Sequence, residues 1–187
     1  DFIHYKRLGR ITDAREDDRD VVLFPRKIGG KFYRISRPVI NEDRSIWIAA
    51  SDELLECPTR TKLYSGQEKW ENSRVGAGCP PIETEDGWLL IYHGVNEEDK
   101  CYRVGLMLLD REDPTKILAR TRKFVLEPTE PYETDGLYAG CVFPTGAVVR
   151  DGTLYVYYGC ADKYVAVVTE KLQNVLGYLK LPENRCE

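Results

Sequence analysis

The chain has 187 residues, of which 42% are hydrophobic and 31% charged, a composition typical of a globular protein with one sizeable domain. Its formal net charge of −4 argues against a nucleic-acid-binding protein, which would carry a basic face. No apolar run approaches the roughly 20 residues of a membrane span, and the charged first residues do not resemble a signal peptide. We therefore expect neither nucleic-acid nor membrane partners, and any anion site must be a local basic cluster.

Three segments in chain order share one pattern, which is an apolar strand that contains or ends at a proline, a tight turn, and a second strand. They read VVLFPRKIGGKFYRISRP, CPPIETEDGWLLIYHGV and CVFPTGAVVRDGTLYVYYGCAD. A third strand follows each, in SIWIAASD, YRVGLMLLD and YVAVVTEKL. The anchor prolines Pro25, Pro81 and Pro144 are 56 and 63 residues apart. The sequence thus predicts three blade-like units at about 19–70, 71–130 and 131–187, within a single domain spanning 1–187.

This repetition predicts an all-β fold built from three- to four-stranded antiparallel units, as in a β-propeller. A β-sandwich is the alternative, but it would not require the internal likeness. Helical periodicity is weak, and TEKLQNVLGYL is the stretch that permits a helix. Because propellers close with four or more blades, three units of this length indicate part of a longer propeller or another kind of assembly.

The six cysteines are expected to be free thiols in a reducing compartment, since a core of this size needs no disulfides. None is paired at the CxxC spacing, and no cluster of cysteine and histidine suggests a zinc site. The cysteines are Cys57, Cys79, Cys101, Cys141, Cys160 and Cys186.

Four basic residues occupy matching positions in the first two units. Arg19 and Arg74 precede the anchor prolines by six and seven residues, and Arg37 and His93 each follow them by twelve. If corresponding strand ends meet, three guanidinium groups and an imidazole converge, and arginine suits phosphate or carboxylate geometry. Alternatively, each arginine is a solvated surface residue and His93 is a buried core histidine bonded to a backbone carbonyl.

The same logic selects two acids in the third unit. Asp162 follows its second strand and Glu133 precedes its first, so their carboxylates could bind sugar hydroxyls or transfer protons. Asp162 is equally compatible with capping a turn. Tyr102, Tyr132 and Trp88 could stack on sugar rings, although aromatic packing is the default explanation in a chain with 12 tyrosines. The glycine-rich RVGAG does not match a phosphate-binding P-loop.

These motifs together, with DRDVVLFPRKIGGKFYRISRP, RVGAGCPPIETEDGWLLIYHGV, YETDGLYAGCVFP and YYGCAD, resemble glycoside hydrolase family 130, the inverting β-mannoside phosphorylases. The resemblance implies a cytoplasmic five-bladed propeller enzyme, with about three blades here. Such an enzyme would cleave a β-mannoside with inorganic phosphate to α-mannose 1-phosphate, with no cofactor besides that co-substrate. It further implies phosphate binding and mannoside binding by two sets of residues. These are Arg19, Arg37, Arg74 and His93 for phosphate, and Asp20, Tyr102, Glu133 and Asp162 for the mannoside.

The chain also departs from the family pattern. Arg74 stands where lysine is usual, and Asp20 and Cys141 stand where asparagine is frequent. The family's general acid, an aspartate in a DPR-type motif, is expected upstream of residue 1. The alternatives are a catalytically inactive propeller fragment that binds phosphate or sugar at most, and a β-mannoside hydrolase. Because an open propeller edge would invite self-association, we also expect a homo-oligomer or a marginally stable fragment.

Overall fold

The structure is a computed structural model that describes residues 3–56 and 58–186. These residues form three antiparallel sheets that follow one another along the chain, together with two short helices. The all-β prediction is therefore confirmed. None of the described helices is long and apolar enough to cross a membrane. Among the cysteines, Cys79, Cys101, Cys141, Cys160 and Cys186 are unpaired, while Cys57 lies outside the described residues.

The first sheet has four strands in the order β1-β2-β3-β4. They are β1 (Asp18–Leu23), β2 (Phe32–Pro38), β3 (Ile46–Ser51) and β4 (Thr61–Tyr64). The predicted glycine turn between β1 and β2 is present. Gly29 and Gly30 have φ of 55° and 81°, a backbone conformation that is unfavourable for residues with a side chain. The β1–β2 register shifts between Arg19 and Val22, so β1 carries a bulge at its first residues.

The second sheet is built around one long strand. Its members are β5 (Arg74–Ala77), β6 (Ile82–Thr84), β7 (Gly87–Val95), β8 (Tyr102–Leu109) and β9 (Ile117–Arg120). Both β5 and β6 pair with β7. Because a proline cannot donate to the strand ladder, Pro80–Pro81 separates β5 from β6. A 3₁₀ turn, Lys69–Glu71, leads into β5.

The third sheet consists of β10 (Val142–Arg150), β11 (Thr153–Cys160) and β12 (Tyr164–Lys171). The one-turn helix α1 (Pro131–Thr134) precedes it and α2 (Leu172–Leu179) follows it, where the helix-permissive stretch lies. One face of this sheet is covered, whereas the other exposes Val165 by 77%, Val167 by 49% and Tyr157 by 45%.

Two hydrophobic cores separate the three sheets, and β7 contributes to both. Its side chains alternate, so Trp88, Leu90 and Tyr92 pack toward the first sheet while Leu89 and Ile91 pack toward the third. This explains the continuous apolar run of β7, since every residue of the strand is buried and a strand covered on both faces shows no polar alternation. Full burial of one such large side chain stabilises the fold by about 1.5–3 kcal/mol. Trp88 is thus a core residue and unavailable for stacking on a sugar.

Candidate functional site

The predicted site residues of the first two units lie where the first and second sheets meet. Arg19 is opposite Arg37 in the β1–β2 register, and His93 is opposite Gly76 in the β5–β7 register. The Val75 amide donates to the Arg44 carbonyl at 3.0 Å, which ties β5 to the first sheet. The start of β1, the end of β2, the start of β5 and the end of β7 therefore form one corner of the molecule.

An aspartate occupies the centre of this corner. Arg37 Nε donates to Asp20 Oδ2 at 2.6 Å, and the two side chains are only 8% and 10% exposed. His93 Nε2 lies 3.5 Å from the same carboxylate oxygen. Asp20 has φ of 52°, a left-handed conformation that costs energy in most residues and tends to persist at functional sites. The β1 bulge thus aims the Asp20 carboxylate between a guanidinium and an imidazole.

Gly76 makes this arrangement sterically possible. A Cβ at position 76 would lie 2.6 Å from His93 Cε1 and 2.8 Å from its Nε2, and would overlap Asp20 Oδ2. The sequence reasoning missed Gly76, because RVGAG was tested only as a phosphate-binding loop. A signal was available, since a glycine inside a strand marks a close approach of another group.

The His93 ring is fully buried but is not bonded to a backbone carbonyl. It packs against Phe143 and Tyr102, whose ring centroids lie 4.5 and 5.4 Å from that of His93 and 5.9 Å from each other. Neither ring nitrogen has a hydrogen-bond partner among the described residues, although buried polar groups are normally satisfied. The structure thus contradicts the alternative of a core histidine satisfied by the backbone. Sequence reasoning did not identify Phe143 as part of this environment.

Burial lowers the pKa of His93 to about 4, against the smaller opposing effect of the Asp20 charge. The cationic side chains of Arg37 and Arg74 also lower the pKa, because they repel a protonated ring. The imidazole is therefore neutral at pH 7, so its 3.5 Å contact with Asp20 is not an ion pair. A neutral imidazole still offers one N–H donor and one acceptor.

Arg74 lies on β5, the strand paired with the part of β7 that carries His93. Its guanidinium lies over the Tyr102 ring, 5.0 Å from the centroid, and its Nε is buried without a hydrogen-bond partner among the described residues. The Tyr102 amide donates to the Gly140 carbonyl at 2.9 Å, which joins β8 to the segment before β10. The Tyr102 ring therefore belongs to the corner and holds Arg74 there by a cation–π contact.

Arg19 lies at the rim of the corner. Its side chain is 59% exposed, and Asp17 binds it in a bidentate geometry at 2.9 and 2.6 Å. This ion pair is the main cause of its raised pKa, while Asp20 and Tyr102 make smaller contributions. Arg19 is thus within electrostatic reach of the corner, but its guanidinium is engaged by Asp17.

Asp162 extends the corner toward the third sheet. It lies in the β11–β12 turn with φ of 53°, and Ala161 beside it has φ of 50°. Burial raises the pKa of the Cys141 thiol to about 12, and the Asp162 charge adds to this while Arg74 opposes it. Asp162 and Arg74 are therefore each within electrostatic reach of Cys141. Asp162 thus lies in a turn, in line with the alternative that it caps one, and its part in the site stays a prediction.

Glu133 has a different environment, because its carboxylate is used inside the protein. It is 2% exposed, and its Oε2 accepts from the amides of Thr129 and Glu130 at 2.8 and 2.9 Å. Its Oε1 accepts from the Tyr158 hydroxyl at 2.7 Å. The carboxylate thus fixes α1 to β11.

Glu71 is a second buried glutamate that accepts hydrogen bonds from backbone amides and a tyrosine hydroxyl. The sequence analysis did not identify this residue. It is fully buried and accepts from the amides of Gln67 and Glu68, both at 3.3 Å, and from Tyr92 at 2.9 Å. Glu71 precedes Cys79 by eight residues, and Glu133 precedes Cys141 by eight, so the repeat itself carried the signal. Each glutamate anchors the loop that enters the first strand of its sheet, and for Glu71 that strand begins with Arg74.

A large cavity lies elsewhere in the molecule. Its volume is about 960 Å³, and it lies between the β6–β7 hairpin and α2. Its charged lining residues neutralise each other, since Arg111 pairs with Glu83 at 3.2 Å and Lys180 with Asp86 at 2.6 Å. The corner around His93 is chemically the stronger candidate, because it combines cations with an unsatisfied buried imidazole.

Antiparallel sheets that meet at a buried imidazole flanked by two arginines define a protein with a candidate site for a small anion. The family model described as β-1,4-mannooligosaccharide phosphorylase, glycoside hydrolase family 130, matches residues 1–181. The chain belongs to this family.

Characterised relatives and a solved structure agree with that assignment. The chain is 40% identical over 168 residues to a β-1,2-mannobiose phosphorylase of Listeria innocua, covering 88% of the chain and 47% of the relative. It is 39% identical to a 1,2-β-oligomannan phosphorylase of Thermoanaerobacter sp., covering 93% of the chain and 57% of the relative. A structure of the Listeria innocua enzyme with β-1,2-mannobiose superposes with a TM-score of 0.89 at 38% identity, over 97% of this chain and 51% of that one. The chain thus spans about half the length of the curated relatives it matches.

Proposed function

We propose that this chain is part of an inverting β-mannoside phosphorylase, which cleaves a β-mannoside with inorganic phosphate and releases α-mannose 1-phosphate. The observation that carries this proposal is the buried His93 ring, whose two nitrogens have no described partner and which lies beside Arg37 and Arg74. Because two relatives are named for β-1,2-linked mannosides, β-1,2-mannobiose is the first substrate to test.

In this mechanism phosphate attacks the anomeric carbon from the face opposite the leaving group, in place of the water that an inverting hydrolase activates. Arg37 and Arg74 neutralise the phosphate charge, and the neutral His93 ring donates one hydrogen bond to a phosphate oxygen. Arg19, at the rim, releases its ion pair with Asp17 and binds the phosphate as well. The leaving oxygen is protonated by a general acid that we place outside residues 1–187.

The mannoside would lie on the acidic and aromatic side of the corner. Tyr102 offers a ring for stacking, and Asp20 and Asp162 offer carboxylates to sugar hydroxyls. Glu133, also expected to bind the mannoside, would act mainly by holding α1 in place, because both of its oxygens accept internal hydrogen bonds.

We also propose that the three sheets are blades of a five-bladed propeller, with the units 19–70, 71–130 and 131–187 forming one partial domain. The sheets cover residues 18–64, 74–120 and 142–171, and each packs face to face on the next. The exposed apolar face of the third sheet has the character of a surface that another blade or a second copy covers. This face supports a homo-oligomer, and the unpaired cysteines support a cytoplasmic location.

The decisive experiment compares turnover of β-1,2-mannobiose by the full-length protein with and without inorganic phosphate. Turnover that requires phosphate, with α-mannose 1-phosphate as product, supports the proposal. Equal rates in phosphate-free buffer would establish a hydrolase instead, and no turnover of β-mannosides under either condition would support a non-catalytic module.

Binding of phosphate to residues 1–187 tests the anion site separately. Arg37→Ala should weaken phosphate binding more than tenfold, since a charged hydrogen bond contributes about 1.5–3 kcal/mol. Arg37→Lys should restore part of that affinity, because lysine keeps the charge but loses the fork of donors. Unchanged affinity in Arg37→Ala would remove the corner from consideration as the phosphate site.

A further inference from the structure

The position of Asp20 within the basic corner has a consequence for anion binding. Its Oδ2 is 2.6 Å from Arg37 Nε and 3.5 Å from His93 Nε2. These are the two groups that a phosphate oxygen would contact. The carboxylate thus occupies the position where an incoming anion would bind.

Backbone geometry holds the carboxylate there. Asp20 is in the left-handed region with φ of 52°, at the bulge between β1 and β2, and its side chain is 10% exposed. Gly76, which lacks a side chain, leaves the space that Oδ2 occupies. A fixed and nearly buried carboxylate differs from a rim charge, because water and salt screen it much less.

Phosphate must therefore compete with this carboxylate. To reach Arg37 and His93 it either displaces Oδ2 or accepts a like charge within about 4 Å, where repulsion is strong in a partly buried site. Asp17 has the same relation to Arg19, but its side chain is 51% exposed, so its effect is screened.

We propose that Asp20 is an internal counter-ion that competes with phosphate for Arg37 and His93 and thereby sets the phosphate affinity of the site. This inference rests on the proposed function. In such a site the Arg37 charge is compensated without phosphate, so the site binds phosphate more weakly than it would without the Asp20 carboxylate. Asp20 is then a specificity-determining residue, since its charge decides how readily phosphate enters.

The test is Asp20→Asn, measured by calorimetric titration of residues 1–187 with inorganic phosphate at pH 7. Asparagine tolerates the left-handed conformation and can still accept from Arg37, so the substitution removes the charge while the geometry is kept. The matched control is Asp86→Asn, which makes the same charge change at the other end of β7, roughly 20 Å from His93. Asp20→Gly, which also suits a positive φ, is a second variant.

We expect Asp20→Asn and Asp20→Gly to bind phosphate at least about tenfold more tightly than the unchanged protein, while Asp86→Asn stays within about twofold. Binding that appears only in the two Asp20 variants supports the same conclusion. Equal or weaker binding in both Asp20 variants overturns the inference and leaves the proposed function intact. If neither the unchanged protein nor any variant binds phosphate, the proposed function and the inference fail together.

Discussion

Gly76→Ala is expected to disrupt the corner of the molecule through one added methyl group. The new Cβ would lie 2.6 Å from His93 Cε1, whereas ordinary contacts begin at 3.4 Å, so the ring or the strand must shift by roughly 0.8 Å. The ring cannot move freely, because it is fully buried and packs against Phe143 and Tyr102. The methyl group would also displace Asp20 Oδ2 from its position, and the ion pair with Arg37 would be weakened.

Overpacking of this kind typically costs about 1–3 kcal/mol. For a chain of this size the cost lowers the melting temperature by about 2–12 °C. Thermal and urea unfolding of residues 1–187 would measure the loss, and calorimetric titration would measure the accompanying change in phosphate binding.

Gly146→Ala is the matched control, since a Cβ at Gly146 meets no atom within 4 Å and the residue has no positive φ. This variant should unfold like the unchanged protein. If Gly76→Ala were as stable as Gly146→Ala and bound phosphate normally, the close approach of Gly76, Asp20 and His93 would be refuted.

Three further predictions follow from buried or exposed groups. Since burial lowers the folded-state pKa of His93 from 6.5 to about 4, its neutral ring stabilises the fold above pH 6.5, and about 3 kcal/mol is lost as pH falls toward 4. Urea unfolding from pH 7 to 4.5 should therefore show a smaller loss in His93→Gln, and parallel curves for the two proteins would contradict the lowered pKa. Tyr158→Phe removes the hydroxyl that donates to buried Glu133 and should cost about 1–3 kcal/mol of unfolding free energy; an unchanged urea midpoint would show that this hydrogen bond contributes nothing. The exposed apolar face should make residues 1–187 self-associate, and Val165→Lys should reduce this in light scattering, whereas a monomeric unchanged chain would exclude association through this face.

Much of the fold was predictable because the signals are local. Tight turns require residues that tolerate positive φ, and Gly29–Gly30 and Asp151–Gly152 supply them. Prolines interrupt strand ladders wherever they stand, as Pro80–Pro81 does between β5 and β6. Repetition of these signals at similar intervals predicted three antiparallel units, and the matching positions within the units selected Arg37, Arg74 and His93.

The sequence by itself therefore determined the strands, their hairpins and which strand ends bear charged residues. Only the tertiary structure decided how those charges pair. Asp20 binds Arg37 and Arg19 binds Asp17, although the sequence grouped both arginines as phosphate ligands. The contact between Asp20 and His93 depends on how two sheets pack, and one glycine opposite His93 permits it. Periodicity and turn chemistry act over a few neighbouring residues, whereas this contact joins side chains 73 positions apart, so it depends on the packing of the cores between the sheets.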